Sequence, residues 1–303
     1  MLSRKLLVLS ATFVLVGGAV GSVFGTGVAL AQSDDVNEID SCTTITESGT
    51  YELTQDITNS EKKHCIKVEA SNVVLNGSSH RVDGVGEDNT VGVYVTDLKF
   101  RIEITDLEVT DWDEGIRAGG VTPPFTSGGT TIENVTAHHN KDGVKSFAHD
   151  LTIRDSEIYE NSDDGIHVIA SKPAIHNNTV YDNTEDGIYL VRAYDGAVTS
   201  NVVRNNSDDG IDGQGTREIE YRANRIAENG DDGLYLRNIS QTDGRLIVEG
   251  NTINRNADDG IHLNDVERVT IRDNTGCANE DAAIYVADTP ADEVTRQGND
   301  LSC

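Results

Sequence analysis

The sequence is short of basic residues. It has 24 Lys and Arg against 52 Asp and Glu, which gives a formal net charge of −28 over 303 residues. A surface of this sign repels the phosphates of nucleic acids and the headgroups of anionic membranes. We therefore expect neither nucleic acid nor membrane as a partner of the mature protein.

Long apolar runs are also scarce, and the single one stands at the start of the chain. The segment "MLSRKLLVLSATFVLVGGAVGSVFGTGVALAQ" begins with basic residues, continues as an apolar stretch and reaches "ALA" at Ala31. This order is typical of a secretory signal cleaved before Gln32, with an uncleaved membrane anchor as the alternative. We predict a signal peptide over residues 1–31, a polar linker over 32–41 and one domain over 42–303, in a monomer that is secreted or held at the cell surface.

The rest of the chain repeats one short motif. "NSDDGIHV", which starts at Asn161, returns as "NTEDGIYL", "NSDDGIDG", "NGDDGLYL" and "NADDGIHL". The motif glycine recurs with a mean period of about 24 residues. A second polar column stands nine residues before each glycine. The glycine positions are Gly92, Gly115, Gly143, Gly165, Gly187, Gly210, Gly233 and Gly260, closing with Ala283, and the polar column is Asp83, Asp106, Asn134, Ser156, Asn178, Asn201, Asn224, Asn251 and Asn274.

Within each repeat, apolar residues alternate with polar ones, which is the signal of a strand. Ile166 and Val168 point one way and His167 the other. Three short strands with tight polar turns, closing after about 23 residues, predict an all-β fold, a right-handed parallel β-helix. A leucine-rich repeat has a similar period, but this chain lacks the leucine-dense core line of that fold. Stacked coils would align the recurrent Asn residues into a ladder of side-chain amides.

Cysteine is rare as well, since the chain has four. An even count in an exported chain indicates disulfides. Cys42 and Cys65 are 23 residues apart and Cys277 and Cys303 are 26 apart, so each pair spans about one coil. We predict one disulfide at each end of the solenoid, with free thiols or metal ligation as the alternative.

The acidic "DDG" turns have two interpretations. An architectural role explains most of them, because glycine and a preceding Asp suit a turn with an unusual backbone angle. Paired carboxylates also suit Ca²⁺, which prefers oxygen ligands. Asp142, Asp163 and Asp164 are the candidate ligands, and Ca²⁺ is the one candidate cofactor.

The residue two places after each glycine faces outward, so these residues form a column along the helix axis. This column, the outward stripe, is about 40 Å long if each coil rises about 4.8 Å. Ordinary surface propensity explains its Tyr residues, but rings and cations together also suit sugars and uronate groups. Two insertions, "AGGVTPPFTSGG" and "RNISQTDGR", leave the same strand at the same corner and would border it. The stripe is Tyr94, Arg117, Lys145, His167, Tyr189, Asp212, Tyr235, His262 and Tyr285.

The "N-x-x-DGI" coils and the start "CTTITESGTYELTQDI…CIKVEASNVVLNG" resemble the β-helix repeat proteins of the NosD-like and carbohydrate-binding/sugar-hydrolase superfamily over residues 42–303. The acid-rich, Lys-poor composition resembles that of secreted proteins of halophilic archaea, in which salt screens charge repulsion. The superfamily hosts lyases, epimerases, hydrolases, adhesins and accessory proteins, so the resemblance implies a fold and no single activity.

Three classes of function follow, namely a noncatalytic module, an enzyme acting on a polysaccharide and a copper-handling protein. A noncatalytic module would bind an acidic polysaccharide or surface glycan through the stripe, or act as a spacer. A polysaccharide lyase or uronate epimerase would use Lys145 or His167 as base, Arg117 to neutralise charge and Tyr189 as proton donor or sugar platform; Tyr94, Asp212, Tyr235, His262 and Tyr285 would bind substrate. The "DPHD"-like motif of alginate epimerases is absent.

Two further activities have less support. A hydrolase centred on Asp186, Asp209 and Asp212 is disfavoured because "GHG" and "RIK" are absent. The NosD resemblance implies copper handling, for which His138 and His139, with His149 and His167 not far in sequence, are candidates. Soft Cu(I) ligation is poorly provided, because the mature chain has no Met and its thiols are expected to be bridged.

Overall fold

A computed structural model of the protein describes residues 36–120, 128–240 and 246–301. Short strands and tight turns make up nearly all of this part of the chain. The strands are β1 (Val36–Ile39), β2 (Thr43–Ile45), β3 (Gly49–Leu53), β4 (His64–Val68), β5 (Val73–Asp83), β6 (Val91–Val95), β7 (Phe100–Thr110), β8 (Glu114–Ala118), β9 (Gly128–Glu133), β10 (Thr136–His138), β11 (Asp142–Ser146), β12 (Thr152–Arg154), β13 (Glu157–Tyr159), β14 (Ile166–Val168), β15 (Ala174–His176), β16 (Thr179–Tyr181), β17 (Ile188–Val191), β18 (Tyr194–Thr199), β19 (Val202–Arg204), β20 (Ile211–Gln214), β21 (Arg217–Arg222), β22 (Arg225–Ala227), β23 (Leu234–Ile239), β24 (Leu246–Glu249), β25 (Thr252–Asn254), β26 (Ile261–Val266), β27 (Val269–Arg272), β28 (Ile284–Ala287) and β29 (Val294–Gln297), with a 3₁₀ helix at Ala291–Glu293.

The strands form two long parallel sheets in which each coil pairs with the coils before and after it. One sheet has eleven strands, in the order β2-β4-β6-β8-β11-β14-β17-β20-β23-β26-β28, and the other has eighteen. A coil gives one strand to the first sheet and two to the second, as β14, β15 and β16 show. The register offset between neighbouring coils is the coil length, so Ile166 pairs with Ile188. The predicted parallel β-helix with three short strands per coil is confirmed.

The core lies between the sheets and is filled by alternate residues of each strand. Ile166 and Val168 are fully buried, whereas His167 between them is half-buried. β-Branched side chains dominate this core because they fit a pleated surface well. Removal of these apolar side chains from water is the main favourable contribution to folding.

Two asparagine ladders run through the turns. In the predicted ladder, the Asn178 side chain donates to Asn201 Oδ1 at 3.0 Å, and the chain of contacts continues to Asn299. A second ladder uses the first residue of each "NxDDG" motif and runs from Asn140 through Asn161 to Asn279. Because each amide is both donor and acceptor, a stack satisfies buried groups that would otherwise be costly.

The constant spacing of nine residues fails in the early coils. Thr136 pairs with Glu157, so Val135 is equivalent to Ser156, and the Val135 N–H donates to Ser156 Oγ. Asn134 lies one position earlier, with a positive φ of 51°. Asp106 and Asp83 are likewise outside the ladder column, because the Glu108–Thr136 and Asp83–Thr110 pairings place them elsewhere.

The motif glycines are required because there is no room for a side chain at these positions. The expectation from sequence, that they adopt an unusual backbone angle, is wrong. None of the repeat glycines from Gly92 to Gly260, all of which the structure describes, has a positive φ. A Cβ at Gly210 would lie 2.5 Å from Ile226 Cγ2 and 2.6 Å from the carbonyl oxygen of Gly233. The neighbouring coil and the core approach the backbone too closely for any side chain.

One coil exchanges volume between two core positions. Gly213 replaces the Val or Leu found at this position in neighbouring coils, such as Leu190 and Leu236. Tyr221 occupies the fully buried position held by Val198 and Val248. A Cβ at Gly213 would lie 2.6 Å from the Tyr221 hydroxyl, so the small residue makes room for the large one.

The ends of the solenoid carry the disulfides. Cys42 and Cys65 are bonded, with their Cα atoms 4.4 Å apart, which confirms that pairing. Cys277 is also disulfide-bonded; its predicted partner Cys303 lies outside the described residues. β1 pairs with β3 and falls within the segment expected to be a linker.

The predicted signal segment also lies outside the described residues, as do residues 121–127 of the first long insertion and residues 241–245 of the second. Within residues 36–120, 128–240 and 246–301, no helix has the length and apolarity needed to cross a bilayer.

Candidate functional site

The outward stripe exists as one continuous column on the eleven-stranded sheet. Strand register pairs each member with the next, from Tyr94 with Arg117 to His262 with Tyr285. The side chains alternate with core residues, as predicted. Most are half-buried, Tyr285 is 45% exposed, and Asp212 is only 1% exposed. Asp212 is therefore an exception to the prediction that the column faces solvent.

A row of buried carboxyl groups lies beneath the stripe, three residues before each stripe position from Arg117 to His262. Six Asp and one Glu form this buried acid row, and each is 8% exposed or less. From Asp164 onward, the backbone N–H of each acid in the next coil donates to the previous carboxylate, as Asp209 does to Asp186 Oδ1 at 3.0 Å. The row is Glu114, Asp142, Asp164, Asp186, Asp209, Asp232 and Asp259.

In the first half of the stripe, cations cover the buried acid row. Arg117 Nη1 lies 3.1 Å from Glu114 Oε2, and Lys145 Nζ lies 2.5 Å from Asp142 Oδ2. His167 Nδ1 lies 3.1 Å from Asp164 Oδ2 and 3.8 Å from Asp142 Oδ1. Three adjacent coils thus present Arg117, Lys145 and His167, the cationic segment, with their carboxylate partners on the inner side.

The cationic segment and the carboxylates beneath it stabilise each other's charges. Burial alone would lower the pKa of Lys145 and His167, but the carboxylates outweigh it, and both pKa values are raised. Burial raises the pKa of Asp142, yet His167 and Lys145 hold it below its ordinary value. Burial also raises the pKa of Glu114. Lys145 therefore keeps its positive charge at neutral pH, and the carboxylates favour the protonated, cationic form of His167.

A cleft of about 280 Å³ opens beside the first cation. Lys63, His64, Tyr94 and Arg117 contribute to its lining. The Arg117 guanidinium lies 5.5 Å from the centroid of the Tyr94 ring and 5.5 Å from that of Phe147. Aromatic contacts of this kind hold a guanidinium in place.

The middle of the stripe has carboxyl groups without such partners. Within the part of the chain that the structure describes, no Lys, Arg or His forms an ion pair with Asp186 or Asp209. Burial, reinforced by neighbouring carboxylates, raises the pKa of Asp186 to about 9 and that of Asp209 to about 10. Both are protonated at neutral pH. Asp212, paired with Arg237 Nη2 at 2.6 Å, has a pKa raised to about 6 by burial.

The last part of the stripe is aromatic. The ring centroids of Tyr235 and His262 are 4.5 Å apart, and those of His262 and Tyr285 are 4.9 Å apart. His262 Nδ1 lies 2.7 Å from Asp232 Oδ2. We call Tyr235, His262 and Tyr285 the aromatic segment. Its rings expose apolar faces and edges of the kind that contact sugars.

Candidate metal ligands follow the same rows. Asp142, Asp164 and His167 place ligand atoms within 4.8 Å of one another, and so do Asp232, Asp259 and His262. A third group is Asp186, Asp208 and Asp209. The structure thus brings together two of the three predicted Ca²⁺ ligands, Asp142 and Asp164. The carboxylate of the third, Asp163, points toward Lys141, at 3.8 Å from Nζ.

Sequence reasoning missed the partners of the stripe. Gln214 accepts a hydrogen bond from the Tyr189 hydroxyl at 2.7 Å, and Arg237 covers Asp212. Both occupy the next outward position along the strand, since Gln214 pairs with Arg237. The strand period of two predicts that the residue two positions after each stripe residue also faces outward. The residues at these positions are too varied in type to indicate a functional row. Glu114 was missed because its coil reads "DEGI" and not "DDGI".

The chain belongs to the right-handed β-helix family. The model described as "Right handed beta helix region" matches residues 91–242 and 170–302, and this confirms the predicted handedness. A comparison with curated protein sequences finds no match.

Solved structures share the fold at low identity. The A-module of the mannuronan C-5 epimerase AlgE6 from Azotobacter vinelandii superposes with a TM-score of 0.65 at 15% identity, over 88% of this chain and 80% of its own. Endopolygalacturonase I from Stereum purpureum, complexed with galacturonate, gives 0.63 at 14% identity over 88% and 93%. The Dettilon tailspike protein gives 0.57 at 18% identity over 87% and 53%.

Proposed function

We propose that this protein binds an acidic polysaccharide along the outward stripe. The cationic segment would pair with uronate carboxylates, and the aromatic segment would contact sugar rings further along the chain. The proposal includes secretion to the extracellular space or cell surface, where such a polymer is met.

One observation carries the proposal, namely that three cations on adjacent coils stand between solvent and the buried acid row. Arg117 and Lys145 side chains are each 20% exposed and His167 is 15% exposed, whereas the Asp142 side chain is 1% exposed. A ligand that approaches from solvent therefore meets positive groups first. The protein has a net charge of −28, so a row of cations on its surface is unusual. Such a row favours the binding of a polymer that carries an anionic group on each repeating unit.

The names of the similar structures agree with this substrate class. The Azotobacter protein is named an epimerase of mannuronan, and the Stereum protein is described as bound to galacturonate. Both ligands are chains or units of uronic acids. The likeness establishes the fold alone, so it supports the proposal without supplying residue roles.

The protonation states favour binding over base catalysis in the free protein. A Lys or His side chain acts as a base only in its deprotonated form, and the carboxylates disfavour that form because they raise the pKa of both Lys145 and His167. The same charges suit an anion, since charge-assisted hydrogen bonds are stronger than neutral ones. A noncatalytic role is therefore the first candidate.

The test is a binding titration of the mature protein with polymannuronate and with a neutral polysaccharide of similar length, at constant salt. We expect binding of the polyuronate alone. Arg117→Ala should weaken it about tenfold or more, because a hydrogen bond to a charged group contributes about 1.5–3 kcal/mol. Arg225→Ala is the matched control, since Arg225 is an exposed outward residue of β22 on the other sheet. Equal losses for both variants would contradict the proposal.

Lys145→Ala needs a companion variant because it leaves Asp142 buried without its partner. Removing one partner of a buried pair is strongly destabilising. The double variant Asp142→Asn with Lys145→Ala removes both charges, so it should remain folded while the binding of polyuronate is weakened. A folded double variant that binds as tightly as the wild type would contradict a role for Lys145.

Uronate epimerase or lyase activity is the second candidate. It is favoured by the contact of Lys145, His167 and Tyr189 on three adjacent coils, with the His167 and Tyr189 rings 4.9 Å apart. A substrate carboxylate would pair with Arg117 and Lys145, and proton abstraction would require the deprotonated form of His167. NMR in deuterated buffer tests this, because deuterium beside the sugar carboxylate or a new olefinic signal would establish the chemistry. If a bound polymer takes up no deuterium and gives no olefinic signal, the enzymatic candidate is refuted and the binding role is retained.

A further inference from the structure

A pair of histidines outside the stripe has an arrangement that neither the fold nor the proposed function explains. His138 ends β10 on the eighteen-stranded sheet, and His139 follows it in the turn. Their Nδ1 atoms face each other at 2.6 Å. The outer nitrogen of each ring contacts a carboxylate, as His138 Nε2 lies 3.2 Å from Glu108 Oε1 and His139 Nε2 lies 3.2 Å from Glu160 Oε2.

These contacts place a proton on His138. A carboxylate only accepts hydrogen bonds, so His138 Nε2 carries the proton that it donates to Glu108. In the neutral ring, His138 Nδ1 then has a lone pair, which faces His139 Nδ1 at 2.6 Å. The His139 ring either donates an Nδ1 proton to this lone pair or presents a second lone pair, and the second arrangement requires a positive species between or beside the two nitrogens.

The surroundings hold both rings in position. The His138 ring stacks on Tyr159 with centroids 4.9 Å apart and planes inclined by 8°. Thr110 Oγ1 lies 3.4 Å from His138 Nδ1 and 3.1 Å from Asp111 Oδ2. The His138 side chain is 13% exposed, whereas that of His139 is 54% exposed. One imidazole is therefore fixed, and the other is free to adjust toward solvent.

We infer that His138 and His139 bind a divalent transition-metal ion, of the class of Zn²⁺, through their two Nδ1 atoms. Metal-bound histidines commonly donate the second ring N–H to a carboxylate, which fixes the tautomer and makes the ligand more basic. Glu108 stands in that relation to His138, and Glu160 lies within ion-pair distance of His139 Nε2. Imidazole nitrogen suits Zn²⁺ and related ions, whereas Ca²⁺ takes oxygen ligands.

The geometry requires a movement of one ring. Zn–N bonds are about 2.0–2.1 Å long and the ion is tetrahedral, so two nitrogens that share one ion lie about 3.3 Å apart. The Nδ1 atoms, now 2.6 Å apart, must therefore separate by about 0.7 Å. The exposed His139 ring provides this movement. Two protein ligands leave the remaining coordination positions to water, with the Thr110 hydroxyl nearest, so this is a surface site open to exchange.

The first test is a Zn²⁺ titration of the full chain with His139→Gln and the control His176→Gln. His176 is an outward residue of β15 on the same sheet. We expect His139→Gln to lose one equivalent of bound Zn²⁺ and His176→Gln to lose none. Zn²⁺ bound by the Asp and His groups of the stripe is common to both variants and cancels in this comparison. Unchanged stoichiometry in His139→Gln, or equal losses in both variants, would overturn the inference.

The second test separates a metal from a shared proton. Glu108→Gln should weaken Zn²⁺ affinity by about 10-fold to 100-fold, as loss of such carboxylates does elsewhere. Nitrogen NMR of the histidine rings should show the Nε2–H tautomer for His138 and a shift of both Nδ1 signals on addition of Zn²⁺, but not of Ca²⁺. Nδ1 signals that respond to pH and ignore Zn²⁺ would show that a proton joins the rings, and would refute the site.

Discussion

Replacing Asp186 by Asn should stabilise this protein, and the gain should grow with pH. Asp186 is 7% exposed, and burial together with neighbouring carboxylates raises its pKa to about 9. In the unfolded chain the same group would titrate near its ordinary 3.8. A pKa raised on folding contributes stability in full below about pH 4, and this contribution is lost as the pH rises toward 9.

The size of the effect follows from linkage. At pH 7 the unfolded carboxylate is ionised and the folded one is not, and the gap between pH 7 and the ordinary pKa corresponds to about 4 kcal/mol. The Asp186→Asn substitution would remove this dependence while keeping an Oδ1 atom to accept the hydrogen bond that the Asp209 N–H donates at 3.0 Å. We expect the variant to match the wild type at pH 4 and to exceed it by up to about 4 kcal/mol at pH 7.

The assay is urea unfolding of both proteins between pH 4 and pH 8.5 at constant ionic strength. A chelator should be present, because a divalent cation held by Asp186, Asp208 and Asp209 would stabilise the wild type by mass action. A variant that is less stable at pH 7, or that gains equally at pH 4 and pH 8, would refute the reasoning.

Asp164→Asn provides the matched control. Asp164 Oδ1 accepts the same kind of backbone hydrogen bond, from the Asp186 N–H at 3.3 Å. Its other oxygen, however, lies 3.1 Å from His167 Nδ1. We expect this variant to be destabilised at neutral pH because His167 loses a charged partner. The two substitutions in the buried acid row should therefore change the free energy of unfolding in opposite directions.

Three further predictions concern the scaffold and are measured by the same unfolding assay. Gly210→Ala should cost at least about 1–3 kcal/mol through overpacking, and a neutral result would contradict the spatial explanation for the motif glycine. Cys42→Ser should cost about 3 kcal/mol by loss of the Cys42–Cys65 loop constraint, and added reductant should lower the stability of the wild type by more than that of the variant. Gly213→Leu and Tyr221→Val should each destabilise, whereas the double variant should recover much of the loss, since the two volumes are exchanged in one core layer; strictly additive losses would contradict that coupling.

The fold was predictable because its periods are explicit in the sequence. The motif glycine marks each coil, and a period of two marks which residues enter the core, so the stripe from Tyr94 to Tyr285 was predicted residue by residue. The disulfide between Cys42 and Cys65 followed from their separation of one coil. Such inferences succeed because equivalent residues of adjacent coils must stack.

The sequence predictions were wrong where one residue type suits two different structural environments. Glycine in "DDG" suggested a left-handed turn, but its role is to admit the carbonyl oxygen of the next coil. Asn134 matched the ladder spacing by letter, although the structure places it one residue earlier, in a left-handed position that Asn also favours. Asn suits both environments, so its identity alone does not distinguish them.

The buried acid row gives the stripe a structural role as well as a binding role. Where the stripe residue is Lys145, the underlying Asp142 has a lowered pKa; where it is Tyr189, the underlying Asp186 has a pKa raised to about 9. Cations on this column therefore relieve the cost of buried carboxylates whether or not a polymer binds.

This double role explains why exposed charge alone is a weak guide to the binding surface, and why paired substitutions are decisive. If Lys145 served only Asp142, removal of both charges would restore stability and leave the binding of polyuronate intact. If the cationic segment also receives the polymer, the double variant is stable and binds weakly, because the scaffold no longer needs the cation and the ligand still does. The aromatic segment then contributes contact area that does not depend on this charge balance, so Tyr235→Ala should weaken binding without changing the dependence of binding on salt.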